Sequence, residues 1–297
     1  MLDPAGAQPR YLTTKEVADL LRVKERKVYD LAAAGDIPHR RITGKLLFPA
    51  AEIKAWIEGE EVVAVPQEAA AARPAVVTGS HDPLLDWAIR ESGSGLATLW
   101  NGSLGGLDAF QGGHAALCGL HVPEEGGWNL ATVANRRLAN CVLIAWAQRT
   151  RGLLLGKGLA GTVRRFRDLR GKRVVLRQPG AGAAALFDAL LAEARMTMDD
   201  VEPTGGYART ESDAAAMVSA GEADAALGIE AMARPFHLDF LPLRTERYDL
   251  AIDRRAYFTD PLQRLIAFAR TDAFRDKAAG MGGYDIGDTG AVRWLGP

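Results

Sequence analysis

No stretch of this 297-residue chain stays apolar for the length a helix needs to cross a bilayer, and its opening, Met1-Leu2-Asp3-Pro4-Ala5-Gly6, has neither the basic nor the apolar part of an export signal. A cytoplasmic protein without a membrane partner is expected. Cysteine is nearly absent. Cys118 and Cys141 are too few for a disulfide framework and stand among apolar neighbours, so buried, reduced thiols are expected. Net charge is scarce as well, since 36 lysines and arginines face 37 aspartates and glutamates. The chain as a whole has no attraction for nucleic acid, and any such affinity must be local. Apolar residues at 48% and charged ones at 25% are ordinary for a globular protein, and the length suffices for two domains or three lobes.

One local excess is present: between Arg10 and Glu58, ten lysines and arginines stand against seven aspartates and glutamates. Thr13 followed by Glu16 is a helix-start signal, and Val17, Ala18, Leu20 and Leu21 continue it at helical spacing. Arg22-Val23-Lys24 reads as a turn. Glu25 to Ala34 then places Val28, Leu31 and Ala32 on one face and leaves Arg26, Lys27 and Tyr29 on the other, with Gly35 and Pro38 ending the helix. Two short β-prone runs around Gly44 follow, from Arg40 to Phe48, and after Pro49 a last helix runs through Ile53, Trp56 and Ile57. The order is helix, turn, helix, basic hairpin, helix.

With these residues, "LTTKEVADLLRVKERKVYDLAAAGDIPHRRITGKLLFPAAEIKAWI" resembles the excisionase-type winged helix-turn-helix over residues 12–57. The resemblance implies double-stranded DNA as a partner. The second helix would enter the major groove with Lys24, Arg26, Lys27 and Tyr29, and the hairpin would grip the neighbouring backbone with Arg40, Arg41 and Lys45. Thr14, at the head of the first helix, is assigned to the same interface.

A DNA-binding domain over 1–59, a linker over 60–75 and a large domain over 76–297 are expected. The linker reading rests on "EEVVAVPQEAAAARPAVVTG", rich in Ala, Pro and Glu without apolar periodicity, with a helical part near Glu68 to Ala72. Beyond it, short apolar runs alternate with helical patterns, which predicts an α/β domain with a mainly parallel sheet. The expected strands are Ala75–Val77, Ala115–Leu120, Asn140–Trp146, Arg173–Leu176, Ala223–Gly228 and Phe240–Leu243. The expected helices are Asp82–Glu91, Ser103–Phe110, Gly182–Arg195, Ser212–Ala220 and Asp260–Ala269. Three turns, at Thr78–Pro83, Asn101–Leu107 and Gln178–Ala183, precede helices with small residues and free N–H groups, the first two adding a hydroxyl. Together they predict an anion pocket at converging helix starts.

Six stretches carry a second resemblance: "GSHDPLLDWA", "GSLGGLDAFQGGHAALCGLH", "RGLLLGKG", "LRGKRVVLRQPGAGAAALFDALL", "AGEADAALGIEAMA" and "LDFLPLRTERYDLAI". They are similar to cytoplasmic substrate-binding domains related to periplasmic molybdate-binding proteins. The resemblance implies a two-lobed, type II periplasmic-binding-protein architecture with ligand between the lobes. It nominates Ser80, His81 and Ser103 from the first lobe and Arg177 with the Gly180-Ala181-Gly182 turn from the second. Asp224, Glu230 and Tyr248 would line or close the cleft, and His121 would reach it from the end of its strand. Where relatives have a glycine-serine-glycine-threonine-arginine turn, this chain has Gly180-Ala181-Gly182-Ala183-Ala184, two hydroxyls and a positive charge fewer.

Other constellations carry less. His114, Cys118 and His121 would share a helix face, but on a strand they scatter, so no metal site is expected. Ser80-His81-Asp82 has the letters of a hydrolase triad, but adjacent residues cannot adopt its geometry, and no enzyme is expected. The stripe Leu262, Leu265, Ile266, Ala269 reads as the core face of a helix. The chain thus reads as a homodimeric, one-component transcription regulator sensing a small effector, an oxyanion such as molybdate or tungstate, without a cofactor. The alternative is an accessory or biosynthetic protein of molybdenum-cofactor metabolism that binds a cofactor precursor.

Overall fold

A computed structural model of the chain describes residues 11–42, 45–57 and 72–296. It falls into two compact units, Met1–Ala71 and Ala72–Pro297. The tip of the basic hairpin, Thr43-Gly44, the side chain of Arg41, and the linker reading over 60–71 with its helical part lie outside the described residues. Among those residues no helix is long and apolar enough to cross a membrane.

In the first unit the order is β1 Tyr11–Thr13, α1 Thr14–Leu21, α2 Glu25–Ala34, β2 Arg40–Ile42, β3 Lys45–Pro49 and α3 Ala50–Ile57. Helix α1 starts where the sequence signals it. The Thr13 hydroxyl accepts from the Glu16 N–H while the Glu16 carboxylate accepts from the Thr13 N–H, a reciprocal cap. At the other boundary Gly35 takes a left-handed φ of 79° and closes α2. Strands β2 and β3 form the hairpin in register Arg40↔Leu47. Strand β1, which the sequence patterns did not reveal, pairs with the outer side of β3. Val17, Ala18, Val28, Ala32, Ile37, Phe48 and Ile53 make the core.

The second unit opens with β4 Val76–Gly79, α4 Pro83–Glu91, β5 Ala97–Trp100, α5 Ser103–Gln111 and β6 Leu117–Leu120. A small hairpin, β7 Pro123–Glu124 and β8 Gly127–Trp128, leads to α6 Leu130–Asn135 and the long β9 Cys141–Leu155. Then come β10 Arg173–Arg177, α7 Gly182–Glu193, β11 Glu202–Ala208, α8 Glu211–Ser219, β12 Ala225–Ile229 and the equally long β13 Asp239–Asp253. Helices α9 Asp260–Phe268 and α10 Asp272–Met281 and the short β14 Tyr284–Asp285 and β15 Val292–Leu295 finish the chain. All five expected helices are present. The expected strands are too, but Asn140–Trp146 and Phe240–Leu243 are fragments of β9 and β13, fifteen residues each. Strands β5, β7, β8, β11, β14 and β15 and helices α6 and α10 had not been expected.

Strands β9 and β13 pair antiparallel along their whole length, from Asp239↔Leu155 to Asp253↔Cys141. One end of this ribbon joins β6, β4 and β5, and the other joins β12, β10 and β11. Two lobes result, sharing the ribbon as their connection. The first lobe has apolar layers on both faces of its sheet, around Leu84, Trp146, Leu265 and Phe274 on one and Leu107, Phe110 and Leu143 on the other. The second is built on Leu153, Phe166, Leu186, Phe187 and Leu227, with Val175, Ala214 and Val218 across its sheet. Leu262, Leu265, Ile266 and Ala269 are all buried, as a core stripe should be. Cys118 and Cys141 are buried free thiols, and burial pushes the Cys141 thiol up to about 12 and that of Cys118 higher still.

One close approach sets the first lobe's geometry. At Gly106 an added Cβ would lie 2.3 Å from the Gly79 Cα and 2.9 Å from the Cys118 Sγ, so helix α5 sits on the end of β4 at a distance that only hydrogen permits. Gly106→Ala is therefore expected to destabilise the chain by about 1–3 kcal/mol or more, the cost of overpacking against backbone that cannot yield. A urea unfolding midpoint equal to that of the unchanged chain would contradict this contact.

Candidate functional site

The first unit offers a surface. Val28, Leu31 and Ala32 of α2 face the core, and Lys24, Arg26, Lys27 and Tyr29 are exposed together. Lys24 is the N-cap but makes no side-chain cap bond. Lys45 is exposed on the hairpin, whereas the exposed Arg40 is engaged, its Nη2 donating to the Glu52 Oε1 at 2.8 Å. Thr14 departs from expectation. It is buried in the first turn of α1.

In the second unit the carboxyl ends of the strands meet between the lobes. The Ser80 and Ser103 hydroxyls are 2.9 Å apart and both residues are buried. Ser103 Oγ also accepts from the His121 N–H at 3.2 Å, and the Tyr248 hydroxyl donates to the Ser80 carbonyl at 2.5 Å. From the second lobe, the Gly180 carbonyl accepts from the Leu104 N–H at 3.1 Å, and the Glu211 N–H donates to His81 Nδ1 at 3.3 Å. Gly182 presses so closely on the first lobe that a Cβ there would lie 2.3 Å from the His121 carbonyl oxygen. Ser80, His81, Ser103, His121, Tyr248, Arg177, Gly180, Ala181 and Gly182 therefore come together where the lobes touch, Ala181 lying against Gly102.

Two nominated residues stand apart from that cluster. Asp224 precedes β12 at the amino end of the sheet, where its carboxylate accepts from the Arg173 N–H and pairs with the Arg173 guanidinium at 2.9 Å. Its place is opposite to a cleft at the carboxyl ends, because a residue before a strand and a residue after it emerge at opposite edges. Glu230 does follow β12 at the carboxyl end, but it packs against the Gly282-Gly283 loop.

The largest feature had escaped sequence reasoning. Arg149 and Arg151 on β9, Glu246 on β13, Asp82 before α4, and Arg177 and Glu211 of the second lobe form one buried ion network. Arg149 donates to Asp82 at 2.9 Å and to Glu246, while Arg151 donates to Glu246 at 2.9 Å and to both oxygens of Glu211 at 2.9 and 3.3 Å. Arg177 spends its donors on Glu211 at 2.8 Å and on the Ala208 and Arg209 carbonyls. Tyr284 donates to Asp82 at 2.6 Å, and His121 Nδ1 lies 3.0 Å from Glu246. Three guanidiniums thus face three carboxylates. Burial works against the carboxylate charges, but Arg151 and Arg177 at Glu211, and Arg149 and Arg151 at Glu246, outweigh it and hold both carboxyls well below the usual range.

His81 and His121 go the other way. Burial lowers both below the ordinary histidine value against the pull of Asp82 and Glu211 on one and Glu246 on the other, so both are neutral in the fold. The unfolded chain takes up protons at these positions near pH 6.5 that the native chain refuses. Stability is therefore expected to fall as pH drops from 7 to 5, by up to about 1.4 kcal/mol per pH unit for each histidine. His121→Gln should flatten the decline, and a melting temperature constant between pH 7 and 5 would contradict the neutral state of both rings.

Comparison with known proteins agrees with both units. A helix-turn-helix domain family matches residues 11–61 and a PBP superfamily domain matches residues 87–270. The uncharacterized protein YvgK of Bacillus subtilis (strain 168) is 27% identical over 300 residues, which take in 94% of this chain and 96% of that one. An uncharacterized Clostridium pasteurianum protein, encoded in the 5′ region of a 2Fe-2S ferredoxin gene, is 33% identical over 91 residues, 29% of this chain and 80% of its own. Among solved structures, PhnD1 of Prochlorococcus marinus in complex with methylphosphonate superposes with a TM-score of 0.49 at 12% identity, over 72% of this chain and 92% of that one.

Proposed function

Because the chain belongs to the PBP superfamily and carries a helix-turn-helix unit ahead of that domain, we propose that it is a one-component transcription regulator in which a small ligand between the lobes alters DNA binding by the first unit. The observation that carries this reading is the pairing of two features in one chain: an exposed face of α2 bearing Lys24, Arg26, Lys27 and Tyr29, and a two-lobed domain whose strand ends converge on buried polar groups. A ligand that favours one arrangement of the lobes over another shifts the population toward it. A homodimer on a two-fold site is the assembly we infer, since one small helix-turn-helix unit reads only a half-site.

The ligand class we propose is an oxyanion such as molybdate or tungstate. Supporting it are the hydroxyls of Ser80 and Ser103, one ahead of α4 and one opening α5, with the His121 N–H beside them. Hydroxyls and N–H groups at helix starts hold a tetrahedral anion without a dedicated cation. In a thermal-shift panel, molybdate or tungstate at about a hundred times its dissociation constant is expected to add about 2.7 kcal/mol of stability. The same anion should change retardation of operator DNA. If millimolar molybdate, tungstate, sulfate and phosphate all leave the melting temperature unmoved, the oxyanion is rejected and neutral organic molecules become the panel to screen.

A further inference from the structure

The buried network contains an arrangement that a ligand site would have, occupied by the chain itself. Glu211 is the first residue of α8, and its carboxylate is buried between two guanidiniums that are buried too. Arg151 reaches both of its oxygens, at 2.9 and 3.3 Å, and Arg177 reaches Oε1 at 2.8 Å. Two arginines converging on one carboxylate, at a helix start and between two lobes, form a strong anion slot. The partners come from different elements, the ribbon strand β9 and the end of β10 in the second lobe.

Charge balance makes this slot consequential. Arg149, Arg151 and Arg177 are matched one for one by Asp82, Glu211 and Glu246. An anion added to the closed network would leave its charge uncompensated in a dry interior, which is strongly unfavourable. An anion exchanged for the Glu211 carboxylate would not, because the glutamate can move outward into water.

We propose that Glu211 is a built-in competitor for the effector: a small oxyanion or carboxylate enters the slot of Arg151 and Arg177 by displacing the Glu211 side chain. This rests on the cleft being the ligand site. Tethering gives Glu211 a high effective concentration, so it sets the threshold above which an external anion binds. The backbone N–H of the same residue donates to His81 Nδ1 at 3.3 Å, so the slot adjoins a contact between the lobes.

The test is chemical replacement of the lost carboxylate in the full chain. In Glu211→Ala, sodium acetate is expected to raise the melting temperature saturably, while sodium chloride at equal ionic strength does not. Half-saturation should come at least tenfold lower than in the unchanged chain. Should Glu211→Ala fail to fold, Glu211→Gln keeps the shape without the charge, and acetate or sulfate should stabilise it with the same tenfold advantage. The proposal is overturned if the variant that folds responds to acetate and sulfate no differently from the unchanged chain. The oxyanion reading stands or falls separately: acetate rescue of Glu211→Ala with no molybdate response of the unchanged chain keeps the slot and rejects molybdate, and the converse pair rejects the slot alone.

Discussion

Arg151→Met is expected to lower the stability of the second unit by about 3–5 kcal/mol, the cost of leaving a buried partner charge uncompensated. Arg151 stands between Glu211 and Glu246, with Nη2 within 2.9 Å of both carboxylates, and none of these side chains meets solvent. Methionine fills similar volume, so the loss reads the charge more than the packing. With the guanidinium gone, Arg149 still faces Glu246 and Arg177 still faces Glu211, but the cluster carries one excess negative charge. Both carboxyls, now held far below the usual range by their arginines, would then rise. The sign follows by linkage. In the unchanged chain these carboxylates contribute stability that is present above the unfolded glutamate value and lost as pH falls below it, so weakening that depression makes the variant less acid-sensitive in the same range. Urea unfolding of the full chain, followed by tryptophan fluorescence at pH 7 and pH 4, measures both. A loss under about 1 kcal/mol, the worth of an exposed pair, would mean that water reaches the network.

The second large effect lies in the first unit. Arg26→Glu with Lys27→Glu is expected to reduce binding of the preferred DNA site to the level of unrelated DNA, roughly a thousandfold or more. Both side chains are on the exposed face of α2, and Val28 beside them is buried, so the fold has no stake in their charge. Lys45→Ala on the hairpin should act differently. It should weaken binding to all sequences alike and reduce the salt slope by about one, as loss of one phosphate contact does. Arg40 offers less, being paired with Glu52. The preferred site would be selected from random DNA with the unchanged chain, and affinities measured by retardation at several salt concentrations. A double variant that still retards that site at the same concentration would show that α2 is not the reader.

What could be read from the sequence and what could not divide along the range of the interactions. The boundaries of α1 and α2 were legible because their determinants are neighbours: Thr13 and Glu16 exchange bonds three residues apart, and Gly35 closes its own helix. The runs that make β10, β12 and most helices of the second unit were legible for the same reason, as each announces its buried face locally. Strands β9 and β13 were seen only in part. Their middles carry Arg149, Arg151, Glu246 and Arg247, and charged residues in a strand suggest an end or a solvent face. Here they continue into the interior, and the only local hint was the apolar run Leu153–Leu155 resuming after Arg151 and Gly152.

From sequence alone, then, came the two-part organisation, the basic face of α2 and the small residues at the Ser80, Ser103 and Gly180 turns. Only the tertiary structure decided which polar groups are free. Arg177, nominated as a ligand contact, spends its charge on Glu211, 34 residues away. Glu211 is also claimed by Arg151, 60 residues away, and Arg151 by Glu246 at a separation of 95. Desolvation makes each of these pairings obligatory once the lobes close on them, because a charge removed from water must find a partner wherever the fold supplies one. No spacing in the chain encodes that choice, since it depends on which strands cross between the lobes and on what they carry at the crossing.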